Sequence, residues 1–197
     1  MRKVVMSRYT RWVPILFAVS LFFLMTHVLD DAFNLGEPRD WGVSTAEFLV
    51  IVASMYLVIP PLGAALARRG SVWGFVIVLL YALQAYYGGG INHMRHLTGD
   101  FGGSGIIART LLTAGISWGD IRGHGFLTGV AAMLGLGINS PHSHTWWSTD
   151  IALINVLLNI PLIGLCVFAI IQWRREHRET TKSINRVSAS NPASSKV

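Results

Sequence analysis

A chain of 197 residues with 52% hydrophobic and only 13% charged side chains is too apolar for an ordinary soluble domain, and its mean hydropathy is positive at +0.48. The formal charge of +6 is gathered in short basic clusters beside apolar runs, which points to the lipid bilayer as the partner and away from nucleic acid. The single cysteine, Cys166, lies inside an apolar run, so an intramolecular disulfide and a thiolate metal centre are both excluded.

A spanning helix needs about 20 mainly apolar residues at about 1.5 Å rise each. Four stretches qualify, predicting an all-α polytopic bundle over residues 1–179. The first runs from Trp12 to Leu29 behind the basic flank of Arg2, Lys3, Arg8 and Arg11. Its sequel, Thr26-His27-Val28-Leu29-Asp30-Asp31, has no small-x-small cleavage site, so the segment reads as an uncleaved anchor. The second runs from about Ala46 to Ala67, and Pro60-Pro61 predicts a kink or short break late in it. The third runs from Val72 to about Tyr87, extending at most to His93, with Gly88-Gly89-Gly90 expected to loosen its exit.

Between residues 92 and 147 lies an outer segment too apolar for a plain loop. It holds Ile106 to Trp118, interrupted by Arg109, and the glycine-rich stretch Phe126 to Ile138. A pair of surface helices, a re-entrant hairpin, and two short spans making six in total all fit. The non-spanning readings are preferred, because a central arginine costs about 2.5 kcal/mol or more in a spanning helix. The fourth span, Ile151 to Trp173, is the cleanest, and the Ser/Asn-rich tail 180–197 is expected to be disordered.

Orientation follows from the flanks. Basic residues collect before the first span, between the second and third (Arg68, Arg69), and after the fourth (Arg174, Arg175, Arg178, Lys182). The positive-inside rule then puts both termini in the cytoplasm of a multi-pass protein of the bacterial inner membrane. Asp30, Asp31, Glu37, Asp40, Glu47, Asp100, Asp120 and Asp150 fall on the opposite side or at its boundary.

Six of the seven histidines, all but His177, share that outer side with the acids. His27, Asp30 and Asp31 stand at i, i+3 and i+4, so a continuing helix presents one imidazole and two carboxylates on one face. His93 and His96 repeat the i, i+3 spacing after the third span, and His142 and His144 point to one side of an extended segment. Imidazole with carboxylate suits Zn, Fe, Cu or Mn. His27, Asp30, Asp31, His93, His96, His142 and His144 are therefore the candidate ligands of a divalent transition metal. A metal-bound water, its pKa lowered toward 7, would make hydrolysis of a lipid-like substrate feasible.

Against this stands the tendency of polar side chains to gather at interfaces as solvated groups or helix caps, and no H-E-x-x-H spacing is present. Haem is the weaker alternative, with His27 and His93 as facing ligands. Asn155, Asn159 and Gln84 read as interhelical hydrogen-bonding groups. Two other function classes remain: a non-catalytic subunit that holds a membrane-protein partner or a second copy, and a transporter of uncharged cargo.

His27-Val28-Leu29-Asp30-Asp31, Asn92-His93-Met94-Arg95, and Gly102-Gly103 followed by Ile107-Ala108-Arg109 resemble a group of small bacterial four-helix integral membrane proteins of unassigned activity. The resemblance covers roughly the first half of the chain. It implies the four-helix topology and marks His27, Asp30, Asp31 and His93 for testing, without implying a mechanism. The longer outer segment and Pro141-His142-Ser143-His144 depart from the pattern.

Overall fold

A computed structural model describes residues 2–91 and 146–190, and every regular element among them is helical. The elements are α1 (Arg2–Asp30), a π-helical turn (Asp31–Leu35), α2 (Glu37–Trp41), α3 (Thr45–Tyr56), α4 (Ile59–Arg68), α5 (Val72–Tyr86), a second π-helical turn (Tyr87–Ile91) and α6 (Trp146–Ser190). Four helical stretches, Arg8–Asn34, Thr45–Arg68, Val72–Gly90 and Asp150–Glu179, are long and apolar enough to cross a membrane by length and composition.

Local chemistry sets the boundaries. Ser44 caps α3 reciprocally: its Oγ accepts from the Glu47 backbone N–H at 3.3 Å, while its own N–H donates to Glu47 Oε2 at 2.8 Å. Pro60 and Pro61 occupy the first turn of α4, where a missing N–H costs nothing. The expected break therefore falls one turn earlier, at Leu57 and Val58. Gly70, at φ 77°, closes α4 and turns the chain directly into α5. A Cβ on Gly74 would lie 2.1 Å from the Ala67 backbone nitrogen, so α4 and α5 approach backbone to backbone, as small residues permit between membrane helices.

The core stripe of α1 is Val13, Phe17, Ser20, Leu24 and His27, continued by Asp31 at the start of the π-helical turn, all buried at alternating spacings of three and four. The α6 stripe, Ala152, Asn155, Asn159, Leu162, Cys166 and Ala169, has the same rhythm. Two stripes repeating every 3.5 residues keep antiparallel helices in register over a long seam, and α1 and α6 pack along each other accordingly. α5 fills the same seam with Phe75, Val78 and Tyr81, and the Tyr81 ring meets Phe17 edge to face at 4.8 Å. Trp12, Ile15, Val19 and Phe22 face outward from α1, as do Leu153, Leu157, Ile160 and Phe168 from α6.

One expectation needs correcting. Gly88-Gly89-Gly90 forms a π-helical turn within the bundle rather than a loosened exit. A Cβ on Gly89 would meet Leu24 at 2.7 Å and one on Gly90 would meet Val156 at 2.6 Å, so the glycines let this turn wedge between α1 and α6. α6 is helical to Ser190, and residues 191–197 of the tail lie outside the described residues. The choice between four and six spans rests on a segment outside the described residues, as do His93, His96, His124, His142 and His144.

Candidate functional site

The buried stripe of α1 turns polar at its last turn. His27, Asp30 and Asp31 are 1%, 5% and 6% exposed, an unusual density of titratable groups for a helix otherwise packed with apolar side chains. At Asp31 the helix widens into the π-helical turn, a form that recurs at functional sites. His27, in the last turn of α1, stands one α-helical turn before Asp31, and its Nε2 lies 3.5 Å from Asp31 Oδ2. Asp30 turns to a different neighbour, its Oδ1 accepting from Asn34 Nδ2 at 2.7 Å. The spacing thus places His27 and Asp31 together as expected, with Asp30 beside them and engaged elsewhere.

A fourth group joins by a route the spacing did not reveal. Gly36, at φ 79°, reverses the chain after the π-helical turn and starts α2 with Glu37, which is 8% exposed. Glu37 and Asp30 both lie within electrostatic reach of Asp31. Sequence analysis used Glu37 only as a marker of sidedness. The available signal was the glycine immediately before it, which permits the reversal without announcing where the reversal points.

Three carboxyl groups and an imidazole thus share one shielded end of the bundle. Asp30 Oδ2 and Asp31 Oδ1 have no hydrogen-bond partner among the described residues. Burying an ionised carboxylate without compensation costs several kcal/mol even after relaxation, and neighbouring like charges add to that cost. A cation or shared protons would offset it. His27 and Asp31 offer one nitrogen and one oxygen of the kinds that bind zinc, iron, copper and manganese. Among the described residues, no group of three or more His, Cys, Asp or Glu side chains is arranged to hold a metal ion.

Deeper in the bundle a second polar set is organised differently. Ser20 Oγ donates to Asn159 Oδ1 at 3.0 Å, and with its single hydrogen so used it accepts from the Tyr81 hydroxyl at 3.1 Å. Asn159 Nδ2 donates to the Asn155 carbonyl at 2.8 Å. The interhelical role expected of Asn159 is present, joining α1, α5 and α6. Gln84 lies beside Tyr56 where α5 meets α3. The Asn155 carboxamide, fully buried, has no hydrogen-bond partner among the described residues. Comparison of the chain with protein-family models, curated proteins and solved structures returns no match.

Proposed function

We propose that this is a multi-pass membrane protein that holds a divalent transition metal at the outer face of the bilayer, with His27 and Asp31 as the nucleus of the site. Asp30 and Glu37 contribute negative charge around it, and His93, the first histidine after the third span, is the preferred further imidazole. The observation that carries this reading is the contact between His27 and Asp31 at 3.5 Å beside two further buried carboxyl groups. The basic flanks of the spans support the orientation, with the Arg68-Arg69 end of the bundle in the cytoplasm. A water on the remaining coordination position would serve as a nucleophile at neutral pH, suited to hydrolysis of a lipid-like substrate.

Elemental analysis of the detergent-purified protein beside a His27→Ala/Asp31→Asn variant tests the reading. Near-stoichiometric metal in the parent and its loss in a variant of unchanged helicity is the expected result. No metal in either protein after reconstitution with zinc, iron, copper and manganese in turn would overturn it. A Soret band in the same samples would redirect the assignment to haem.

A second reading has its own observation. Because no three ligating side chains converge among the described residues, the His27–Asp31 contact also fits a purely structural pair within a non-catalytic membrane subunit. That subunit would keep its partners in the double variant, as crosslinking in membranes would show.

A further inference from the structure

One outward face of α1 carries three kinds of side chain in a fixed order. Arg8 and Arg11 come first, Trp12 next, and Ile15, Val19 and Phe22 follow, all exposed. At 3.6 residues per turn they fall within about 100° of the helix circumference. Cation, aromatic ring and hydrocarbon succeed one another along that face in the order in which half a lipid bilayer presents phosphate, interface and acyl chain. Arg11 is held in place for such a partner, its guanidinium carbon lying 5.7 Å from the centroid of the Trp12 ring. The neighbouring helix repeats the level. Thr10 packs on Gly70, Ser20 meets the Tyr81 hydroxyl at 3.1 Å and Leu24 packs on Gly89, so α1 and α5 advance side by side in one direction. Trp12 stands eight residues before Ser20 and Trp73 eight before Tyr81, which sets both at one depth, about 12 Å from that contact.

The Thr10–Gly70 contact also brings the exposed Arg68 and Arg69, at the end of α4, to the junction that Arg11 occupies. The sequence around this junction supplies no carboxylate: no Asp or Glu precedes Asp30, and none lies between Glu47 and Asp100. Glu176 and Glu179 of α6, counted from the Ser20–Asn159 contact, stand about 12 Å or more farther along the bundle than Arg11, beyond a Debye length at physiological salt. We propose that this face of α1 seats an anionic glycerophospholipid, its phosphate between Arg11 and Arg69 and an acyl chain along Trp12, Ile15, Val19 and Phe22. The planar fork of a guanidinium donates two parallel hydrogen bonds to a phosphate, and basic junctions between membrane helices favour anionic headgroups. A free phosphate would answer the arginines and leave the aromatic and apolar part of the face unmatched. The seat rests on the reading of α1 as a membrane span and is independent of the metal.

The test reconstitutes the full-length protein in phosphatidylcholine vesicles with a photoactivatable phosphatidylglycerol, and with a photoactivatable phosphatidylcholine of the same chains as control. Saturable labelling of the peptide carrying Trp12 by the anionic probe is expected, competed by unlabelled phosphatidylglycerol and not by inorganic phosphate. Arg11→Gln and Arg69→Gln should each weaken it about five-fold, and Trp12→Leu about three-fold, while Arg39→Gln on α2 leaves it unchanged. Arg11→Lys keeps the charge, and with it any orientation the basic flank sets, but loses the fork, so about three-fold weaker labelling is expected. Undiminished labelling in that variant would reduce the seat to diffuse attraction and overturn it. Equal labelling by the two lipids overturns it as well, as does competition by inorganic phosphate, which would assign a site for free anions. A protein that does not float with the vesicles overturns the spanning reading and the seat together, whereas an inserted protein that labels without preference removes the seat alone.

Discussion

Two buried polar regions lie within one bundle, and they are finished to different degrees. Around Ser20, three helices meet and the hydroxyls and the Asn159 carboxamide each find partners at 2.8 to 3.1 Å. Around His27, carboxyl groups gather at the end of one helix and the start of another, with Asp30 Oδ2 and Asp31 Oδ1 lacking hydrogen-bond partners among the described residues. In an apolar surrounding a satisfied network is adhesive, while an unsatisfied one is a cost that something else must offset. The first region explains itself by holding helices together. The second does so only with a ligand or proton added.

The largest effect expected is on composition. On the proposed metal-site reading, His27→Ala/Asp31→Asn should hold no metal by elemental analysis, while its thermal midpoint stays level with or above that of the metal-stripped parent, because a buried imidazole and a buried charge have been removed. A sharp drop in midpoint without any change in metal would make the His27 end adhesive too and erase the contrast. Next comes a change that touches neither region. Gly74→Ala drives a methyl group into the α4 backbone and should cost about 1–3 kcal/mol, read from denaturation in detergent, with metal content intact.

Asn159→Ala should cost about 1 kcal/mol, typical of hydrogen bonds between membrane helices, and again leave the metal in place. Metal loss in that variant would show the two regions to be one coupled network. The smallest effect belongs to Tyr81→Phe. Its ring still packs on Phe17 and Ser20 still reaches Asn159, so the same denaturation assay should detect about 0.5 kcal/mol.

The helices were legible because apolar run length is set by the bilayer and needs no tertiary information. Pro60-Pro61 likewise announced a break by local chemistry alone, although the helix yields before the prolines rather than at them. His27 with Asp31 was legible as an i, i+4 pair. Glu37 was not, since its approach depends on the direction in which Gly36 turns the chain, a property of two helices rather than of one. The glycine run shows the same limit. Flexible in isolation, it becomes the tightest contact surface of its segment once Leu24 and Val156 are set on either side. A whole-bundle geometry decides which of glycine's two uses applies.

The length of α6 has a mechanical consequence. Its 45 residues exceed what a hydrocarbon core of about 30 Å requires. The seventeen residues beyond Trp173, at about 1.5 Å each, make an arm of about 25 Å that continues the rod. A change of about 10° in the tilt of α6 within the bilayer, well inside the range membrane helices adopt, would swing Ser190 by about 4 Å. The same helix carries Asn159 on its buried face, so a small rotation in the bundle interior would appear at the Ser190 end of the rod as a displacement large enough for a neighbouring molecule to sense.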